Sequence, residues 1–192
     1  MRTLLFVALA LSLFAVVSSA QENANGYQST PTFEVSTGYD YVRYNANPRI
    51  AGVPTSENVN GNGVNGQFAF NPYSRVGLVA EVAGYAVSRK GFTTTHEVSY
   101  VFGPRIHLRR GRITPFVQTL LGRQWAEDGI TLGSVSAFAM TMGGGVDVAI
   151  STHVAIRPAQ AEYFLTKFND GNNKQQNNFR FGAGIVFRFA QK

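Results

Sequence analysis

Three histidines, His96, His107 and His153, are the side chains best suited to act as general bases near neutral pH. Nucleophilic catalysis asks for more, namely a serine within hydrogen-bond reach and a third group that orients the base. On an extended strand, residues two apart share a face, and no His-x-Ser occurs in the chain. His96 and Ser99 fall on opposite faces, and Ser151 precedes His153 within a turn. The histidines lack metal-ligand spacing, cysteine is absent, and no Gly-rich phosphate loop follows a strand to open a helix. The residues therefore predict no catalytic site, no metal and no cofactor, and so not an enzyme.

A second set of chemistry-bearing residues is ordered. Glu34, Asp40, Glu81, Glu97, Arg105, Asp147, Arg157, Glu162, Arg180 and Arg188 all lie on the polar parity of segments in which polar and apolar residues alternate. Six carboxylates facing four guanidiniums are nearly balanced. If they are enclosed they must pair, which predicts an ion network across a closed interior that either packs it or gates a conduction path.

The elements that would hold this network are strands. The last of them, Asn178 to Ala190, places Phe179, Phe181, Ala183, Ile185, Phe187 and Phe189 on one face, with Arg180, Gly182, Gly184 and Arg188 on the other. Seven earlier segments behave alike, at about 32–44, 63–71, 75–87, 94–108, 113–122, 137–150 and 153–168. In the fifth, Ile113, Val117 and Leu121 are assigned outward so that Gln118 points in. In the seventh the phase slips after Pro158, as a bulge would produce, so that Gln160 and Glu162 face in with Arg157. Pro104 marks a bulge or a rim position in the fourth. Glycines at 38, 77, 103, 143, 145, 182 and 184 give room to large inward side chains. Tyr39, Tyr41, Tyr44, Phe68, Phe70, Tyr100, Phe102, Phe187 and Phe189 are candidates for interfacial girdles.

The connections alternate. Short turns at Asn71-Pro72-Tyr73-Ser74, Arg109-Arg110-Gly111-Arg112 and Ser151-Thr152 are interleaved with longer polar ones at 45–62, 88–93, 124–134 and 169–177, the last carrying Asn169-Asp170-Gly171-Asn172-Asn173. With the N-terminus in the periplasm, the short set is periplasmic and the long set external.

The chain of 192 residues opens with Arg2, an apolar run from Leu4 to Val17, and Ser18-Ser19-Ala20, the pattern of a cleaved secretory signal. That run is too short to span a bilayer as a helix, and no second one follows. The expected division is a signal peptide at 1–20, a lead-in at 21–31, a barrel at 32–190 and a tail at 191–192. The formal net charge of +6 comes from scattered arginines and lysines, which favours anionic lipid headgroups over nucleic acid as neighbours. Strands with an oily face can enter hydrocarbon only if every edge is paired, because each unpaired amide or carbonyl costs several kcal/mol there. The fold class predicted is thus all-β, an eight-stranded antiparallel up-and-down transmembrane barrel.

Gly103-Pro104-Arg105, Gly143-Gly144-Gly145-Val146-Asp147, Arg157 with Glu162-Tyr163, and Gly184-Ile185-Val186-Phe187-Arg188-Phe189 together resemble the OmpA-like family of small outer-membrane barrels over nearly all of 30–190. The resemblance implies an integral outer-membrane protein of a diderm bacterium, monomeric, with a structural, loop-presenting (adhesive) or small-pore role. It implies outer-membrane lipids, lipopolysaccharide included, and the barrel-assembly machinery as partners. Gly184, Phe187 and Phe189 look like the signal read by that machinery, although Ala190-Gln191-Lys192 follow where the family ends on an aromatic. Wall anchoring through a peptidoglycan-binding domain after the barrel is not expected. Two other readings compete: a secreted lipocalin-like barrel, with apolar residues inside around a lipophilic ligand, and a lipid-modifying outer-membrane enzyme.

Overall fold

The computed structural model describes residues 30–46, 49–50, 53–54, 57–88, 95–127, 134–167 and 176–191. The signal peptide, all of the lead-in before residue 30, and the 169–173 loop lie outside the described residues. The elements are β1 (Pro31–Ala46), a small hairpin of β2 (Arg49–Ile50) and β3 (Val53–Pro54), then β4 (Glu57–Phe70), β5 (Val76–Ser88), β6 (Thr95–His107), β7 (Ile113–Glu127), β8 (Ser134–Ala149), β9 (Val154–Thr166) and β10 (Gln176–Gln191). Eight of them close into one antiparallel barrel in the order β1-β10-β9-β8-β7-β6-β5-β4. All consecutive barrel strands are neighbours, and β10 returns to β1 from Pro31↔Gln191 to Arg43↔Phe179, so no edge is left open.

The register fixes the shape. From Phe33 the pairing runs through Phe70 and Leu78 to Pro104; the flanking β6–β7 register, Phe102↔Leu121 and Arg105↔Gln118, carries it to Thr119, and from there it passes Met142, Tyr163 and Phe179 and regains β1 at Arg43, ten residues above its start. For eight strands that stagger means a tilt of roughly 40° and an interior just wide enough for side chains. On β10 the outward residues from Phe179 to Phe189 then span about 25 Å along the barrel axis, the height of a lipid-facing band.

Each of the eight barrel strands turns its apolar parity outward. Val64, Phe68, Val82, Phe102, Val117, Leu121, Phe179, Phe181, Ile185 and Phe189 are all exposed, whereas Glu34, Asp40, Glu81, Arg105, Asp147, Arg157, Glu162, Arg180 and Arg188 are buried. The fifth segment faces as assigned, with Val117 and Leu121 out and Gln118 in. The slip in β9 is present: Pro158 and Ala159 are both exposed between buried Arg157 and Gln160. Both neighbouring ladders shift there by one residue, between Val146 and Val148 on one side and between Gly182 and Gly184 on the other.

Other expectations are corrected. Pro104 makes no bulge, because β5 pairs straight through it (Leu78↔Pro104), and β7 resumes its register at Arg105↔Gln118 after Phe102↔Leu121. Its missing donor is absorbed as a gap in one ladder, three residues from the end of the strand. The stretch 57–62 is strand rather than loop, since β1 pairs as far as Ala46↔Glu57. β7 likewise continues to Glu127, and β10 takes in Gln191 from the expected tail. Tyr44 is no girdle residue; it shares the parity of Glu34 and Asp40, and its buried hydroxyl donates to Glu97 at 2.6 Å. Phe102 sits between Ala80 and Leu121, within the apolar band and not at its border.

Gly111 opens the two-residue hairpin between the Arg110 and Ile113 bridge partners with φ 56°, a value that favours glycine. Elsewhere glycine makes space. A Cβ on Gly77 would lie 2.3 Å from Asn71 Oδ1 and one on Gly182 would lie 2.4 Å from Asp40 Oδ1, so these two do make way for inward side chains. Gly38 and Gly184 face each other across the closing seam and give way instead to backbone, at 2.6 and 2.4 Å from the carbonyls of Ala183 and Thr37.

Candidate functional site: a closed ionic lumen

The ten charged residues singled out in the sequence all project into the lumen, and the tilt sorts them by height. Toward the tight turns stand Arg105, Arg157 and Arg188, with Glu34 and Asp147. Arg109, just past β6, joins them by lying 3.7 Å from Glu34. Toward the long loops stand Asp40, Glu81, Glu97 and Glu162, with Arg180 alone among them in the described residues. The lumen is therefore polarised, with four guanidiniums against two carboxylates in the lower tier and one against four in the upper.

Arg180 is the hub of the upper tier. Its Nη1 donates to Glu81 Oε1 at 2.5 Å and to the Tyr85 hydroxyl at 2.8 Å, and its Nη2 reaches Glu81 Oε2 at 3.0 Å. Its Nε donates to Glu162 Oε2 at 2.7 Å, and Nη2 meets the same oxygen. Asp40 completes the ring with Oδ2 at 3.8 Å from Nη1. Above the hub the wall becomes apolar, with Val42, Leu120 and Phe164 fully buried, and Glu97 there accepts from Tyr44 and Gln124.

In the lower tier Arg157 grips Asp147 with two hydrogen bonds, Nε to Oδ1 at 2.7 Å and Nη2 to Oδ2 at 3.1 Å. Arg105 has no carboxylate within ion-pair distance among the described residues. It donates to Gln118 Oε1 at 2.8 Å and Gln67 Oε1 at 2.5 Å, and its guanidinium, like that of Arg157, lies 4.5 Å from the Phe116 ring centroid. Glu34 faces Arg188 at 3.4 Å.

Two neutral amides join the tiers. Gln67 accepts from Arg105 and Arg157 below and donates Nε2 to Glu81 above at 2.6 Å. Gln118 accepts from Arg105 and donates to Glu162 at 2.6 Å. Each turns its acceptor to the cations and its donors to the anions, so both amide dipoles align with the lumen's polarity. The sequence had placed both on the polar parity without a role, whereas Gln124 had fallen in the expected 124–134 loop. Parity was the available signal, whereas the partners follow only from closure.

Side chains fill the lumen along its described length: Arg105, Arg180, Glu34, Glu81, His107, Gln124, Leu120 and Phe164 are each exposed by about 2% or less. His107 Nε2 is 3.1 Å from Asn71 Oδ1, and His153 Nδ1 is 2.9 Å from the Thr152 hydroxyl. His96 faces outward.

On the outer wall, aromatics collect at two levels. Phe33, Phe68 and Phe70 stack near the turn end, with ring centroids 5.4–6.0 Å apart. Near the loop end Tyr100 packs on Trp125 at 4.8 Å and Tyr163 on Phe179 at 5.9 Å. There Tyr39 and Tyr163 donate their hydroxyls to Asn62 and Asn177, each at 2.6 Å, as rings with one wet end do at a lipid border.

An oily exterior, an ionised interior and full closure define an integral membrane β-barrel of the small outer-membrane type. Solved structures share the fold. Neisserial surface protein A (NspA) matches with a TM-score of 0.62 at 12% identity, over 82% of this chain and 97% of that one. Ail, the attachment invasion locus protein of Yersinia pestis, solved in complex with the heparin analogue sucrose octasulfate, matches at 0.54 and 18%, over 82% and 97%. The N-terminal β-barrel domain of Pseudomonas aeruginosa OprF matches at 0.54 and 13%, over 83% and 98%. At such identities the likeness is one of fold. No family model matches the sequence, and no curated protein matches it.

Proposed function

We propose that this chain is a non-catalytic, monomeric outer-membrane barrel of a diderm bacterium that acts as a rigid plug and carries polar loops on the external side. The observation behind this reading is the closed lumen: the charges that could line a pore are consumed by one another around Arg180, Gln67 and Gln118. The loop-presenting role draws on the strands themselves. β1 and β4 stay paired to Ala46↔Glu57, three residues beyond Arg43, the partner of the upper band residue Phe179, so the hairpin continues past the band as a paired ladder. Ail, named for attachment and invasion, has the same fold, which favours an adhesive use of that projection. Lipopolysaccharide around the outer wall and the assembly machinery at Gly184, Phe187 and Phe189 are the partners in this reading. The lipocalin-like alternative is disfavoured by the outward phenylalanines of β4 and β10.

Fractionation with heat-modifiable gel migration tests membrane insertion, with recovery in the membrane fraction and a compact unheated band expected. Recovery as a detergent-free soluble protein would remove the reading. Planar-bilayer recordings of purified protein test the plug, and stable single-channel conductance would replace it with the small-pore role.

A further inference from the structure

The end of the barrel closed by tight turns carries a cationic rim with no carboxylate on it among the described residues. The turns at 71–75, 108–112 and 150–153 contain Arg75, Arg109, Arg110 and Arg112 and no Asp or Glu. Arg75, Arg110 and Arg112 are exposed, and Arg109 ties two turns together by donating Nε to the Ser74 carbonyl at 3.1 Å. Two carboxylates lie behind the rim, both buried. Asp147 is taken by Arg157, while Glu34 lies 3.4 Å from Arg188 and 3.7 Å from Arg109. Arg109 and Arg188 each keep an Nη2 with no hydrogen-bond partner among the described residues.

The depth of this rim is set by its neighbours. Tyr73, Leu108 and Ile150 on the same turns are 72%, 59% and 58% exposed and continue the apolar band downward. Those side chains seat at the edge of the hydrocarbon, which leaves guanidiniums one or two residues away at the level of the headgroups. The cation-rich lower tier adds a positive potential at this mouth, acting through a low-dielectric wall. A guanidinium fork matches the oxygens of a phosphodiester.

We infer that the turn end of the barrel binds the phosphodiester groups of anionic phospholipids in the leaflet it faces. This rests on the membrane reading above. The loop end carries its own outward cations, Arg43 and Arg123, and serves as the comparator.

The test uses the barrel refolded into phosphatidylcholine vesicles with trace spin-labelled phosphatidylglycerol or phosphatidylcholine, and reads the relative association of the two labels from the motionally restricted spectral component. The wild type is expected to prefer phosphatidylglycerol. Arg75→Gln with Arg110→Gln should lower that preference by about fivefold per arginine, and salt at about 0.5 M should erode it in the wild type. Arg43→Gln with Arg123→Gln should leave it close to the wild-type value. Equal ratios in the wild type and the Arg75/Arg110 variant, a salt-independent ratio, or a loss confined to the Arg43/Arg123 variant would each overturn the inference. Should the Arg75/Arg110 variant fail to refold, the salt titration is read on the Arg43/Arg123 variant, which keeps the turn-end arginines: a preference that salt erodes supports the inference, and no preference overturns it. Insertion of each protein is scored separately by gel migration, so failure of the wild type to insert counts against the membrane reading and not against the lipid preference.

Discussion

Replacing Arg180 by methionine keeps much of the side chain's volume and removes the cation on which the upper tier is centred. The structure supplies the magnitude. Both carboxylate oxygens of Glu81 lose a donor, Glu162 loses its guanidinium, the Tyr85 hydroxyl loses a partner, and Asp40 loses the charge 3.8 Å away. Three carboxylates then share a space closed to water, and breaking a buried pair in this way costs about 3–5 kcal/mol. At ~2 kcal/mol per molar urea, the unfolding midpoint in lipid vesicles should fall by about 2 M, scored as the fraction of compact band on unheated gels. The same argument predicts rescue. Adding Asp40→Asn, Glu81→Gln and Glu162→Gln to Arg180→Met removes the stranded charges and should recover more than half of the loss. A single variant within about 1 kcal/mol of the wild type, or a rescue variant no more stable than the single one, would refute the claim that Arg180 neutralises this tier.

Gln67→Leu removes the acceptor shared by Arg105 and Arg157 and the donor to Glu81, and should cost about 2–4 kcal/mol in the same urea assay, with Gln118→Leu somewhat less harmful. Val117→Arg puts a cation in the middle of the lipid-facing wall and should destabilise by about 2–4 kcal/mol, whereas Leu108→Arg at the turn border should cost about 0–1, measured as the free energy of insertion into vesicles. A Cβ on Gly103 would sit 2.2 Å from the Thr119 carbonyl oxygen, so Gly103→Ala should lose about 1–3 kcal/mol, while Gly66→Ala, with nothing within 4 Å, should lose none.

The wall was legible because its solvent imposes period two, and every strand carries enough large apolar residues to show which parity meets lipid. The slip in β9 was legible for the same reason, since Arg157 and Glu162 fall on one side of the wall only if a residue is skipped near Pro158. What the parity of one strand does not contain is which residue stands opposite across the lumen. Gln67 meets Arg157, 90 positions away, and Arg180 meets Glu81, 99 away, through the stagger of the closed barrel. Residues 57–62 read as loop because Asn and Gly are poor strand formers, yet the pairing with β1 supplies backbone hydrogen bonds that composition does not announce. Tyr44 was misplaced because aromatic character was weighed above parity. Arg109 was missed because it lies just past the strand, inside a turn.

The partners of Arg180 come from β1, β5 and β9, while Arg180 itself is on β10, so its charge is answered in full only after the two ends of the chain have met. A half-built sheet exposed to acyl chains would hold a bare guanidinium and several bare carboxylates, a state the bilayer strongly rejects. Productive entry into the membrane is thereby coupled to sealing the first strand against the last, and a chain shortened by its final segment should remain outside as a whole instead of lodging as a partial cylinder.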